Sequence, residues 1–152
     1  MFKYMFPFWA SVIALVSAQL LKPLIHFIKF KEWDFWIAKE SGGFPSSHSS
    51  LVSALTLAVG LREGFSSPIF AVTASFSIII IYDAANVRYY SGKNIKITQQ
   101  LVKDFQKITN YEFDNPIYHE KLKDVLGHRW IEVLGGIVWG VIISSLMYYY
   151  FR

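Results

Sequence analysis

The chain has 152 residues, 53% of them hydrophobic and 18% aromatic, and only 17% charged. A small soluble domain has too much surface for that composition, so a membrane protein is expected. There is no cysteine, which excludes disulfides, thiolate metal sites and cysteine nucleophiles; the formal charge of +4 suits anionic lipids or phosphates, and no nucleic-acid motif accompanies it.

Apolar runs recur at lengths near the ~20 residues that a membrane-spanning helix needs. The first covers residues 5–21. It lacks a small-residue cleavage site, and Lys22-Pro23 follows directly, so it reads as a helix and not as a cleaved signal. Residues 33–37, Trp-Asp-Phe-Trp-Ile, are amphipathic and aromatic and suit the interface or a re-entrant turn. The second run, 49–61, is short and rich in serine, and the third is 68–82. Residues 96–108 place Ile97, Leu101, Phe105 and Ile108 at three- and four-residue spacing, which predicts a surface helix packing one face. A polar loop is expected at 110–116. The fourth run, 131–151, ends in Tyr148-Tyr149-Tyr150, aromatics that suit a membrane–water boundary. The predicted architecture is one all-α domain over 1–152, an integral membrane helical bundle. It has about four transmembrane helices plus an amphipathic interfacial helix. Gly135, Gly136 and Gly140 give the last helix a small-residue face, for packing within one chain or in a homodimer.

Four helices put Lys22 at the end of the first, Ser46-Ser47-His48 at the start of the second, Asp83 and Arg88 at the end of the third, and His128 and Glu132 at the start of the fourth. All then share one membrane side. That side carries every lysine and arginine except Lys3, Arg62 and Arg152. The positive-inside rule makes it cytoplasmic, in a multi-pass protein of the cell's inner or plasma membrane.

Each residue has an ordinary reading. His48, Ser46 and Ser47 can cap a helix. Lys22 and Arg88 can snorkel to lipid headgroups. Asp83 can pair with either cation, and His128 and Glu132, four apart on a helix, can form a structural hydrogen bond. The conjunction favours chemistry. A neutral imidazole can attack phosphorus, and a carboxylate on its far nitrogen can fix the tautomer. Cations and helix N–H groups can hold the phosphoryl oxygens, and a second imidazole can protonate the leaving oxygen.

At these residues the chain resembles the type 2 phosphatidic acid phosphatase superfamily, which includes the vanadium haloperoxidases, and more closely its small divergent membrane branch. The matching segments are Gly42-Gly43-Phe44-Pro45-Ser46-Ser47-His48-Ser49, Tyr82-Asp83-Ala84-Ala85-Asn86-Val87-Arg88, and Leu126-Gly127-His128-Arg129-Trp130-Ile131-Glu132-Val133-Leu134-Gly135-Gly136. The first signature, a lysine, six residues, then Arg-Pro, is met by Lys22, with Lys29-Phe30 in place of Arg-Pro. The second, Pro-Ser-Gly-His, has Ser47 for glycine. In the third, 39 residues separate Arg88 from His128 where the pattern has five, and Glu132 replaces aspartate. The insertion is about 89–126.

The resemblance implies His128 as nucleophile, Glu132 orienting it and His48 as general acid. Lys22, Ser46, Ser47 and Arg88 bind phosphate. Asp83 has no counterpart in the signatures and is expected to position Arg88 or to assist proton transfer; Lys29 is a secondary support. The implied activity is a metal-independent membrane phosphatase acting on a lipid phosphate monoester or diphosphate through a phosphohistidine. No cofactor is implied, although vanadate can occupy the site as a phosphate mimic. Two alternatives stand beside it: a non-catalytic lipid-phosphate binding or transport protein on the same scaffold, and a metal hydrolase using His48, His128, Glu132 and Asp83, which the nearby cations oppose.

Overall fold

A computed structural model describes residues 5–39, 42–109 and 127–151, and its elements are all helical. α1 is Phe6–Phe30, α2 Ser47–Glu63, α3 Pro68–Tyr82, α4 Arg88–Thr109 and α5 Trp130–Phe151. A 3-10 turn, Phe35–Lys39, follows α1, and a π-helical segment, Asp83–Val87, joins α3 to α4.

Three helical stretches are long and apolar enough to cross a membrane: Phe6–Phe30, Pro68–Thr109 and Trp130–Tyr150. The expected fourth, α2, has 17 residues, about 25 Å at 1.5 Å per residue. Its sequence is not lipid-like because lipid is not its main surrounding. It packs against α1, α3 and α5, and its hydroxyls find partners in them. Ser50 Oγ donates to the Ala14 carbonyl of α1 at 3.2 Å, and Thr56 Oγ1 pairs with Ser77 Oγ of α3 at 2.7 Å. Facing hydrocarbon, these hydroxyls would lose their interhelical partners and keep at most a bond to their own helix, as Thr56 Oγ1 makes to the Val52 carbonyl at 2.8 Å.

The core is made of small residues repeating every fourth position. Ala10, Ala14, Ala18 and Lys22 are the buried stripe of α1, and Ser46, Ser50, Ala54 and Ala58 that of α2. On α5 the stripe is Gly136, Gly140 and Ser144, beginning one turn after Glu132. A Cβ on Gly136 would strike the Ser46 carbonyl, and one on Gly140 the Ser50 carbonyl. Fourfold small-residue rows let backbones approach closely. The glycine face of α5 is thus used within this chain. Each of the three stripes leads to a polar residue at the same end of the bundle: Lys22, Ser46 and Glu132.

Two helix boundaries differ from the sequence reading. α1 does not stop at Lys22-Pro23. Pro23 removes the N–H that would bond Gln19, yet Leu24, Ile25, Phe27 and Ile28 keep the helix apolar, and it closes at Lys31, in the left-handed region at φ 62°. Lys22 therefore lies two turns inside α1 and is only 2% exposed. Likewise α3 does not end before a separate interfacial helix. The widened π turn carries it into α4, giving one helical run of 42 residues. Ile97, Leu101, Phe105 and Ile108 do form one face, and that face is exposed. Between α1 and the 3-10 turn, Trp33 stacks on Phe27 at 4.3 Å, and Asp34 Oδ1 accepts from the Trp36 N–H at 2.9 Å. The polar loop expected at 110–116, and the insertion beyond Thr109 up to residue 126, lie outside the described residues.

Candidate functional site

The end of the bundle at which the small-residue stripes stop holds most of the candidate residues. Gly43, with φ +93°, turns the chain above Lys22; a Cβ there would sit 3.8 Å from Lys22 Cδ. Ser46 then caps α2: its Oγ accepts from the Ser49 N–H at 3.3 Å and from Ser49 Oγ at 3.0 Å. Its own N–H donates to the Glu132 carbonyl at 2.9 Å. That bond ties the Pro-Ser-Ser-His turn to the first turn of α5. Ser47 Oγ is buried and has no partner.

His128 is only 2% exposed. Its Nδ1 lies 3.0 Å from Glu132 Oε2, and the same oxygen accepts from the Arg129 N–H at 3.3 Å. The carboxylate so placed favours the tautomer with hydrogen on Nδ1, leaving a lone pair on Nε2. Nε2 is buried and without a partner. An orphaned nitrogen before α5 and an orphaned hydroxyl at the start of α2 call for an explanation, because buried polar atoms are ordinarily bonded. Opposite stands His48, exposed, its ring centroid 6.4 Å from that of His128. One phosphoryl group can touch both rings.

The split halves of the third motif meet here. The His128 N–H donates to the Ala84 carbonyl of the π segment at 3.0 Å. Gly127, at φ +93°, lies on the backbone of Arg88 and Tyr89, where a Cβ would collide. The same segment brings Arg88 Nε to 2.6 Å from Asp83 Oδ2. Lys22, Arg88, Asp83 and His128 all lie near enough to His48 to act on its charge. Partial burial of its ring foremost, then electrostatic coupling to His128 and the positive charge of Arg88 and Lys22, holds the His48 pKa below its ordinary value, while Asp83 acts in the opposite sense.

Lys29 is not brought to this cluster. It lies two turns beyond Lys22, exposed, with its ammonium 5.1 Å from the Phe30 ring centroid. The four residues of the metal alternative are divided in use, Asp83 with Arg88 and Glu132 with His128. Among the described residues no group of three or more His, Cys, Asp and Glu is placed to share an ion. Sequence reasoning gave no role to the Ala84 carbonyl, to Ser49 or to Gly127. Only the last left a signal, as a glycine directly before a candidate nucleophile.

Comparison with known proteins places the chain in a family. The model of the Divergent PAP2 family matches residues 4–143. An uncharacterised membrane protein of Bacillus subtilis (strain 168), YuiD, is 38% identical over 151 residues, covering 96% of each chain. No solved structure matches. With nearly its whole length matched, the chain is a membrane protein belonging to the divergent PAP2 family.

Proposed function

We propose that the protein is a lipid-phosphate phosphatase that works through a phosphohistidine on His128, without a metal ion. The observation that carries this reading is the His128 ring, fixed on one side by Glu132 and bare on the other. In the first step the Nε2 lone pair attacks phosphorus, and the bond from phosphorus to the lipid oxygen breaks. His48 gives that oxygen its proton. In the second step water attacks phosphorus, His48 takes the water's proton, and the phosphorus–nitrogen bond breaks to release phosphate. Lys22, Arg88, Ser46, Ser47 and the first N–H groups of α2 hold the phosphoryl oxygens. Glu132 accepts from Nδ1 and offsets the positive charge that grows on the ring. Substrate enters from the bilayer at headgroup level, on the side that the lysine and arginine distribution makes cytoplasmic.

The test is phosphate release by the purified protein from phosphatidic acid, phosphatidylglycerophosphate and polyprenyl diphosphate, with and without EDTA. Release is expected from at least one substrate, unchanged by the chelator. Loss with EDTA would sink the metal-free mechanism. Vanadate binding without any release would leave the binding or transport reading.

The pH profile reports on His48. A lowered pKa means that the free protein loses the His48 proton below the ordinary value of about 6.5. An acid must carry its proton, so kcat/KM should fall as pH rises through that lowered pKa. The limb should vanish in His48→Asn along with most of the activity. A profile identical in shape for the two proteins would remove His48 from the acid role.

A further inference from the structure

The pairing of Asp83 with Arg88 depends on the π turn. In an α-helix residues five apart point away from each other, since side chains align at three and four. Between Asp83 and Val87 the helix widens, and the Arg88 N–H reaches the Asp83 carbonyl, five residues back. Asp83 and Arg88 are thereby stacked on one face, and the side chains meet at 2.6 Å. The bond is made by Nε. Arginine has five N–H donors in a planar fork, so a carboxylate on Nε leaves both terminal nitrogens for another acceptor while fixing the plane of the fork. Single π turns inside α-helices occur often at functional sites. This one also presents the Ala84 carbonyl to His128.

Building on the phosphatase reading of this site, we propose that Asp83 is a positioning residue: through the π turn it holds the Arg88 guanidinium by Nε and aims its terminal nitrogens at the phosphoryl group. The side chains of Arg88 and Asp83 are 55% and 36% exposed. An ion pair so open to solvent contributes little to folding, so the effect should fall on ligand binding. A purely structural pair would show the reverse.

The test uses the full-length protein in detergent and orthovanadate as the probe, with binding followed by calorimetry. Asp83→Asn should weaken vanadate binding about fivefold. Asp83→Glu, which restores the carboxylate, should recover part of it. In Arg88→Ala the further change Asp83→Asn should add nothing, because Asp83 acts only through Arg88. With a lipid phosphate as substrate, Asp83→Asn should raise KM more than it lowers kcat, and its thermal unfolding should match the wild type. Unchanged vanadate affinity in Asp83→Asn would overturn the proposal. So would multiplying effects in the double variant, or tighter binding, which would make Asp83 a competitor for Arg88. Failure of the wild type to bind vanadate would instead bring down the phosphatase reading on which this rests.

Discussion

His128→Asn is expected to cut phosphate release by a thousandfold or more, a magnitude on the order of that seen when a covalent nucleophile is removed. Asparagine keeps an N–H that can face Glu132, so the fold should survive, which far-ultraviolet circular dichroism would check. The stronger readout is chemical. Brief exposure of the wild type to a phosphorus-32-labelled lipid phosphate, followed by an alkaline quench, should leave label on the protein that acid removes, as expected for a nitrogen–phosphorus bond. His128→Asn should trap none. His48→Asn should still accept label slowly, since it lacks only the acid. Label that persists in His128→Asn would put the nucleophile elsewhere. Equal release by wild type and variant would remove covalent catalysis by this residue. Glu132→Gln should fall between these limits, because an amide can stay close to Nδ1 without fixing the tautomer or offsetting charge.

Much of this site was legible in the sequence because its chemistry is carried by unusual residues. Polar groups at the ends of apolar runs stand out, and the four-residue spacing of His128 and Glu132 puts the pair within reach of each other, although His128 lies two residues before α5 begins. The location of Lys22 was harder to judge. Lys22-Pro23 looks like a helix end, yet the helix runs on through a further apolar stretch whose side chains are largely exposed. The part played by α2 was hard to read for a related reason: an apolar run identifies it as a helix but does not say that its serines face other helices. The π turn left no pattern at all. Its consequence, the junction of Arg88 with Gly127 and His128 across the insertion, is a tertiary fact. The fourfold rows Ala10-Ala14-Ala18 and Ser46-Ser50-Ala54-Ala58 were present in the sequence, but a row of small residues shows its meaning only when its partner row is known.

The rows on α2 and α5 make adjacent glycines unequal. Gly136→Ala is expected to destabilise the protein by about 2 kcal/mol or more, in the upper part of the range for overpacked cores, while Gly135→Ala should cost under about 1 kcal/mol. Both changes gain the same helix propensity, so the contrast isolates what the new methyl meets. At Gly136 it meets the Ser46 carbonyl and Ser49 Cβ. That carbonyl accepts the Ser50 N–H in the first turn of α2, and the Ser46 N–H is bonded to the Glu132 carbonyl. Neither side can yield without separating the two helices. At Gly135 the nearest atoms the methyl meets belong to the Phe44 ring, the end of a side chain that is 42% exposed and can yield more readily than backbone. The damage should also reach catalysis, because the helices that Gly136 holds together carry His48 and Ser47 on one and Glu132 on the other. Gly136→Ala should therefore lower kcat even at temperatures where it stays folded, while Gly135→Ala keeps near wild-type kcat. Unfolding in a detergent titration, followed by circular dichroism, with phosphate release on the same samples, measures both effects. Equal losses at the two positions would mean that the close approach of α2 and α5 is not what sets this site.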